Sequence, residues 1–349
     1  MNTKLTRRTF LAGGTALTAI MLGNLPRPAI AQAKPPVNLY SARHYDTDND
    51  LYDSFRDGQV NLIEASAEEL VARIQSEGRN SPADILITVD AGNLWRADDL
   101  GLFEPVNSAS LNEKIPANLR HPQGHWFGFS TRARVIFYNK ERVDRSQLST
   151  YEDLADRRWR GKILVRSSSN IYNQSLVAAL LAAHGEADTK TWLEGFKANF
   201  AREPESNDTA QIKACADGVG DLAIANSYYY ARLAKSEDPA DRAIVDKVGI
   251  FFPNQGRGQR GTHVNISGAG VLKYSPNKAA AIAFLEHLAS PQSQRYFAEG
   301  NNEYPAVPGV ALDPVLDGFG SFTRDPINVA ELGTNQRRAV MLMDEVGWI

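Results

Sequence analysis

The sequence holds a single cysteine, Cys215, in 349 residues. No disulfide can close within the chain, and no cluster of thiolates can hold a metal. Cys215 falls in a helix-like stretch, 209–217, and reads as a small buried apolar side chain. Long apolar runs are also scarce: beyond the extreme N-terminal region nothing is long and apolar enough to cross a membrane. Basic charge is in deficit, with 38 Lys and Arg against 41 Asp and Glu. Residues 1–31 carry Lys4, Arg7, Arg8 and Arg27 and no acid; without them 34 basic groups face 41 acidic ones, a balance of −7. That argues against a nucleic-acid binder, which normally shows a basic stripe. There is no G-x-S-x-G, no Walker loop and no H-E-x-x-H. No pair of carboxylates is set apart by position, so nothing argues for a hydrolase. Internal repeats and low-complexity tracts are absent as well.

What the chain does have begins with an address. Lys4, Arg7 and Arg8 precede a short apolar run, 10–22, and Ala29-Ile30-Ala31 supplies a small-x-small cleavage signal. Residues 1–31 therefore read as a cleaved signal peptide, too short to span a bilayer. Thr6-Arg7-Arg8-Thr9-Phe10-Leu11 has the form of a twin-arginine signal, which implies export of an already folded protein. The remaining chain is too long for one ordinary core, so two lobes are expected. Strand-like segments 37–42, 59–65 and 83–89 alternate with helical ones, 67–77 and a helix through Trp95 and Leu100. This alternation predicts βαβ units and a largely parallel sheet. A long strand over 126–139 and a second over 263–272 read as crossings between the lobes. Helices are predicted over 151–159, 173–183, 192–200, 209–217, 277–299 and 328–346, strands over 162–166, 221–225 and 245–252, and an irregular wrap over 301–323. The lobe boundaries expected are 34–129 plus 263–312 for the N-lobe and 130–262 plus 313–349 for the C-lobe.

Three consecutive tyrosines, Tyr228–Tyr230, follow the strand-like run that ends at Ala225. At about 100° per residue on a helix they cannot all face one core. Ligands of α/β sheets sit at the carboxyl ends of strands. His44-Tyr45, Tyr172 and Tyr228-Tyr229 all occupy such positions. Several phenolates with one imidazole suit a hard, highly charged cation, Fe³⁺ rather than Fe²⁺, Zn²⁺ or Cu⁺. The alternatives are stacking on a sugar or an organic cation in a tyrosine-lined cleft, simple packing, or an exported metal-dependent enzyme, for which no general base stands out. Four phenolates around Fe³⁺ leave a charge of −1, so a nearby cation would help; Arg132, on the first crossing strand, and Arg232, four residues beyond Tyr228, are candidates. His121 and His125 have the i,i+4 spacing of a metal pair, but Pro122 and Gly124 rule out a helix there, and the pair is set aside. Asp46, Asp48 and Asp50 alternate like calcium ligands yet lack the rest of an EF-hand loop and read as a turn. Gly256-x-Gly-x-x-Gly261 leads into a strand, not a helix, and reads as a flexible connection.

Tyr40-Ser41-Ala42-Arg43-His44-Tyr45, Asn170-Ile171-Tyr172-Asn173, Ala225-Asn226-Ser227-Tyr228-Tyr229-Tyr230, His263–Gly270 and Asn302-Glu303-Tyr304-Pro305 together carry a resemblance over essentially the whole mature chain. The sequence resembles the ferric-iron-binding periplasmic proteins of ABC importers, particularly the cyanobacterial (FutA-like) branch. The resemblance implies a type II periplasmic binding protein fold: two α/β lobes, joined by crossing hinge strands, that close on the ligand. It implies the ligands Tyr45, Tyr172, Tyr228 and Tyr229, with His44 as an optional fifth and Tyr230 structural. It implies a carrier and not an enzyme: a monomeric periplasmic protein that binds Fe³⁺ as its transported ligand and delivers it to an inner-membrane ABC permease for iron uptake. Other branches of the family use a carboxylate and a small synergistic anion.

Overall fold

The computed structural model describes residues 34–205 and 207–349; the expected signal peptide lies outside the described residues. The strands are β1 (Val37–Ser41), β2 (Val60–Glu64), β3 (Ile85–Val89), β4 (Phe127–Asn139), β5 (Ile163–Leu164), β6 (Leu222–Asn226), β7 (Val248–Phe251), β8 (Val264–Val271) and β9 (Tyr304–Pro305). They join in one sheet of order β2-β1-β3-β8-β4-β6-β5, with β7 and β9 also pairing with β4. The sheet is mixed, not largely parallel as the alternation predicts. β1 runs parallel to β2 and β3, and β5 parallel to β6, but β8 is antiparallel to β3, and β4 is antiparallel to β6, β7, β8 and β9. The parallel pairs come from βαβ alternation; the antiparallel ones come from the two long strands, whose direction local periodicity does not encode.

β4 organises the molecule. All thirteen of its residues are buried. Its β-branched and aromatic side chains favour an extended backbone, and its two parts pair differently. Phe127–Ala133 lies along β8, whereas Arg134–Tyr138 lies between β6 and β7. Gly128 sits where the register with β8 shifts; a Cβ there would meet the Leu119 carbonyl oxygen at 2.7 Å and Ile266 Cγ2 at 2.9 Å, so only glycine lets the chains approach. Because side chains alternate, Arg132 and Arg134 project to the same face, and both are buried.

The apolar core divides along the same line. One cluster gathers β1, β3, the first residues of β4 and the helix Lys278–Leu288, including Leu39, Ile85, Phe127 and Phe284. Two others take the rest of β4, one around Trp159, Phe196 and Trp348 and one around Phe137, Ile212 and Tyr230. Val329 and Leu332, late in the chain, pack into the first cluster, and Tyr304 into the third. Cys215 is fully buried, as expected, with its thiol against the Asp221 carbonyl oxygen.

Several helices differ from the predicted extents for local reasons. The run predicted over 277–299 is two helices, Lys278–Leu288 and Pro291–Glu299, because Ser290 caps the second by accepting from the Ser293 N–H and Pro291 starts it. The stretch 151–159 forms two short 3₁₀ turns. The helices expected over 173–183 and 192–200 belong to one run, Ile171–Ala198, interrupted at Gly185 with φ 76°. The turn expected around Asp46–Asp50 leads into a short helix, Asp48–Asp53. The last segment splits into Ala330–Thr334 and Gln336–Glu345. No helix among the described residues is long and apolar enough to cross a membrane.

Candidate metal centre

The tyrosine run forms where β6 ends. Asn226 is the last residue of β6 and the cap of the helix Ser227–Lys235. Tyr228 and Tyr229 thus lie in the first helical turn, with ring centroids 4.1 Å apart. Tyr230, a further 100° around, turns into the core. Its ring packs on Phe137 and Phe319, and its hydroxyl donates to the Val248 carbonyl oxygen at 2.6 Å. Tyr172 lies in the first turn of the helix capped by Asn170, whose side chain accepts from the Tyr172 N–H. Its hydroxyl is 3.4 Å from that of Tyr228. Three phenols therefore stand at the positive ends of two helices, where the aligned peptide dipoles favour developing negative charge.

Tyr45 arrives from the other part of the sheet, just past β1. Its hydroxyl donates to Glu303 Oε1 at 3.3 Å. Glu303 is fully buried and takes charge from two sides: Arg43 Nη1 at 3.2 Å and Arg132 Nη1 at 3.2 Å. Ser130 donates to it as well. Arg43 is itself locked by Asp48, Nε to Oδ2 at 2.7 Å, and its guanidinium lies 4.7 Å from the Tyr45 ring. Arg132 donates to Ser267 Oγ and the Ile266 carbonyl oxygen and lies 5.6 Å from the Tyr172 ring. Arg232 is exposed but stands 5.1 Å from the rings of both Tyr45 and Tyr228. Both arginines singled out in the sequence thus lie against the phenols, and the buried Arg132 is no ordinary surface group.

Electrostatics tie the phenols together. Burial, then Glu303, raises the Tyr45 phenol above its ordinary value, against the pull of Arg43 and Arg132. Burial and the neighbouring Tyr172, Tyr45 and Tyr229 phenols raise Tyr228 well above its own. Tyr229 is pushed up to about 12 by burial and by Tyr172. Burial and neighbouring negative groups thus make Tyr45, Tyr228 and Tyr229 harder to ionise. A trivalent hard cation would reverse this by replacing the protons, and the nearby arginines would offset the excess negative charge. His44 is exposed and makes no side-chain hydrogen bond among the described residues.

Three contributors escape sequence reasoning. Glu303 and Arg43 fall inside short recognisable segments, yet they pair across 260 positions, and no spacing rule links them. Arg134 joins the two helix starts: it donates to Asn226 Oδ1 at 3.0 Å and to Asn173 Oδ1 at 2.6 Å, and pairs with Asp208. The only sequence signal was a pair of arginines, 132 and 134, alternating on an otherwise apolar strand.

The profile of the bacterial extracellular solute-binding protein family matches residues 80–318. The chain is 65% identical over its full length, and over the full length of the relative, to iron uptake protein A2 of Synechocystis. It is 30% identical to an Fe(3+)-binding periplasmic protein of Serratia marcescens, over 91% of this chain and 92% of that one. A solved Trichodesmium structure, described as a complex with iron and citrate, superposes with a TM-score of 0.88 at 60% identity, covering 90% of this chain and all of that one. These are substrate-binding proteins of transport systems, not enzymes, and they share the type II periplasmic binding protein fold. The chain belongs to the bacterial extracellular solute-binding proteins, in the branch of the ferric-iron-binding periplasmic proteins.

Proposed function

We propose that this protein captures Fe³⁺ in the periplasm through the phenolates of Tyr45, Tyr172, Tyr228 and Tyr229 and delivers it to the permease of an ABC importer. The observation that carries this reading is the convergence of phenols from both parts of the sheet, Tyr45 beside Glu303 and Tyr172 beside Tyr228, among buried and bordering arginines. His44, next to Tyr45 in sequence, is the candidate fifth ligand. Arg132 and Arg232 support the bound state by balancing its charge. A small carboxylate in the shell is the alternative to a fifth protein ligand, and the iron and citrate of the Trichodesmium relative favour that variant.

Capture and release follow from the division of the molecule. Residues 34–129 plus 263–312 form one lobe and 130–262 plus 313–349 the other, and β4 and β8 act as the hinge. Metal bridging Tyr45 to the other three phenols holds the lobes together. The division of the apolar core along β4 supports two lobes, with Val329 and Leu332 packing across to the first cluster and Tyr304 to the third. The protein acts as a monomer after export, folded, through the twin-arginine segment around Arg7 and Arg8; Arg7→Lys with Arg8→Lys abolishes export on this reading. Elemental analysis of protein purified from its own periplasm tests the cargo. Iron in stoichiometric amount is expected; a metal-free protein carrying a sugar or an organic cation contradicts the reading.

A further inference from the structure

His121 and His125 are not a helical pair, yet the fold brings them together. Residues 121–124 form a tight turn in which the Gly124 N–H donates to the His121 carbonyl oxygen at 3.0 Å. The His121 N–H bonds the Trp126 carbonyl oxygen at 3.0 Å, and Arg120 bridges Phe127 antiparallel. Gly124 has φ +77°, and a Cβ there would meet the Val106 carbonyl oxygen at 2.6 Å, so the turn requires glycine. The turn stacks the two imidazoles with centroids 4.5 Å apart and planes within 8°. Asp98 faces both rings from the last turn of the helix Ala91–Asp99. Its Oδ2 lies 3.1 Å from His121 Nε2 and its Oδ1 2.5 Å from His125 Nδ1.

We propose that Asp98, His121 and His125 form a second metal site, for a borderline divalent cation of the Zn²⁺ class. One ligand atom from each residue lies within 4.8 Å of the other two, and all three residues are part-buried, leaving access from solvent. Two imidazoles and one carboxylate suit borderline divalent ions, and three protein ligands leave a position for water. The phenol cluster selects hard ions, so the two sites differ in cargo class. Asp98 also stands at the negative end of its helix, where an acid is unfavourable unless a cation faces it. The two sites share no residue. Asp98 lies about 12 Å along its helix from the cap Asp90, whose carboxylate accepts from Ser175 on the helix of Tyr172. The metal pins the 120–127 turn to that helix. Binding rearranges the resting contacts: the parallel rings splay so that both lone pairs meet the ion in place of their bonds to Asp98, and His121 Nδ1 gives up the Gln123 N–H at 3.2 Å, because a metal on Nε2 leaves the ring proton on Nδ1. Gln123 itself is exposed, so its N–H can turn to water.

Calorimetric titration of the full metal-free chain with Zn²⁺, together with amide NMR, tests the site. Binding of a single Zn²⁺ is expected in the unmodified chain and in Tyr228→Phe, with a large shift of the Gln123 amide. Affinity falls by about tenfold or more in Asp98→Asn and in His125→Gln, the latter altering only a partly exposed side chain. Unchanged affinity in His125→Gln, loss of binding in Tyr228→Phe, or an unmoved Gln123 amide overturns the proposal. Should both site variants fail to fold, the Gln123 shift in the unmodified chain decides alone.

Discussion

The two sides of the phenol cluster are built by different means. Tyr172, Tyr228 and Tyr229 stand in the first turns of two helices, placed by caps at Asn170 and Asn226 and joined underneath by Arg134. Tyr45 has no helix behind it. It is held by a buried ion network in which Arg43, Arg132 and Glu303 meet from three distant parts of the chain. Secondary structure preorganises one side, and long-range charge pairing preorganises the other. The helix side should therefore tolerate loss of a neighbouring charge, whereas the Tyr45 side should not.

The largest effect expected is that of pH. Each phenol proton displaced by the metal makes apparent affinity fall about tenfold per pH unit of acidification. With four phenols contributing, a titration of Fe³⁺ binding should show a slope well above one; a slope near zero would mean that no phenol gives up its proton. The metal-free protein should respond in the opposite sense. Its buried phenols have raised values, so the stability they contribute is present below about pH 10, where free tyrosine begins to ionise, and is lost as pH rises through about 12 for Tyr229.

Loss of a ligand comes next. Tyr228→Phe or Tyr229→Phe should weaken iron binding by more than about 100-fold, beyond the roughly 10- to 100-fold typical of losing a supporting partner. Tyr230→Phe should leave iron binding unchanged and cost about 1 kcal/mol of stability, the worth of its hydrogen bond to Val248. Equal losses at all three positions, measured by competition with a chelator, would erase the distinction between the helix face and the core.

Glu303→Gln separates the two sides most cleanly. It leaves Arg43 and Arg132 buried without their shared carboxylate, at a cost of about 3 kcal/mol in thermal or denaturant unfolding. Although burial raises it, Arg43 and Arg132 hold the Glu303 carboxyl below its ordinary range. The stabilisation it provides is thus present above the ordinary glutamate range and fades as pH falls through the lowered value. Iron affinity should drop by about tenfold through Tyr45. Asn173→Ala, on the helix side, should have the smaller effect on iron. The smallest change is expected for Arg232→Ala: the side chain is exposed, and a loss of about threefold in affinity matches an exposed cation–π contact.

Much of this was legible in the sequence, and the rest was not for identifiable reasons. The first strands and the helix Ala67–Glu77 follow from short periodicities, and the strand-end positions of Tyr45, Tyr172 and Tyr228 follow from them. The separation of Tyr230 from its neighbours follows from the helical angle alone. Sheet direction did not follow, because β4 and β8 pair over long range. Glu303 was invisible as a partner of Tyr45, since only the tertiary fold brings position 303 beside 45. His121 and His125 were discarded on helical spacing, while a glycine turn supplied the proximity instead.

The visible absorption spectrum of the protein titrated with Fe³⁺ tests phenolate coordination most directly. A phenolate-to-iron charge-transfer band should grow with bound iron, saturate at a single iron per chain and fade on acidification as protons retake the phenols. A fully iron-loaded protein that stays colourless would contradict coordination by Tyr45, Tyr172, Tyr228 and Tyr229.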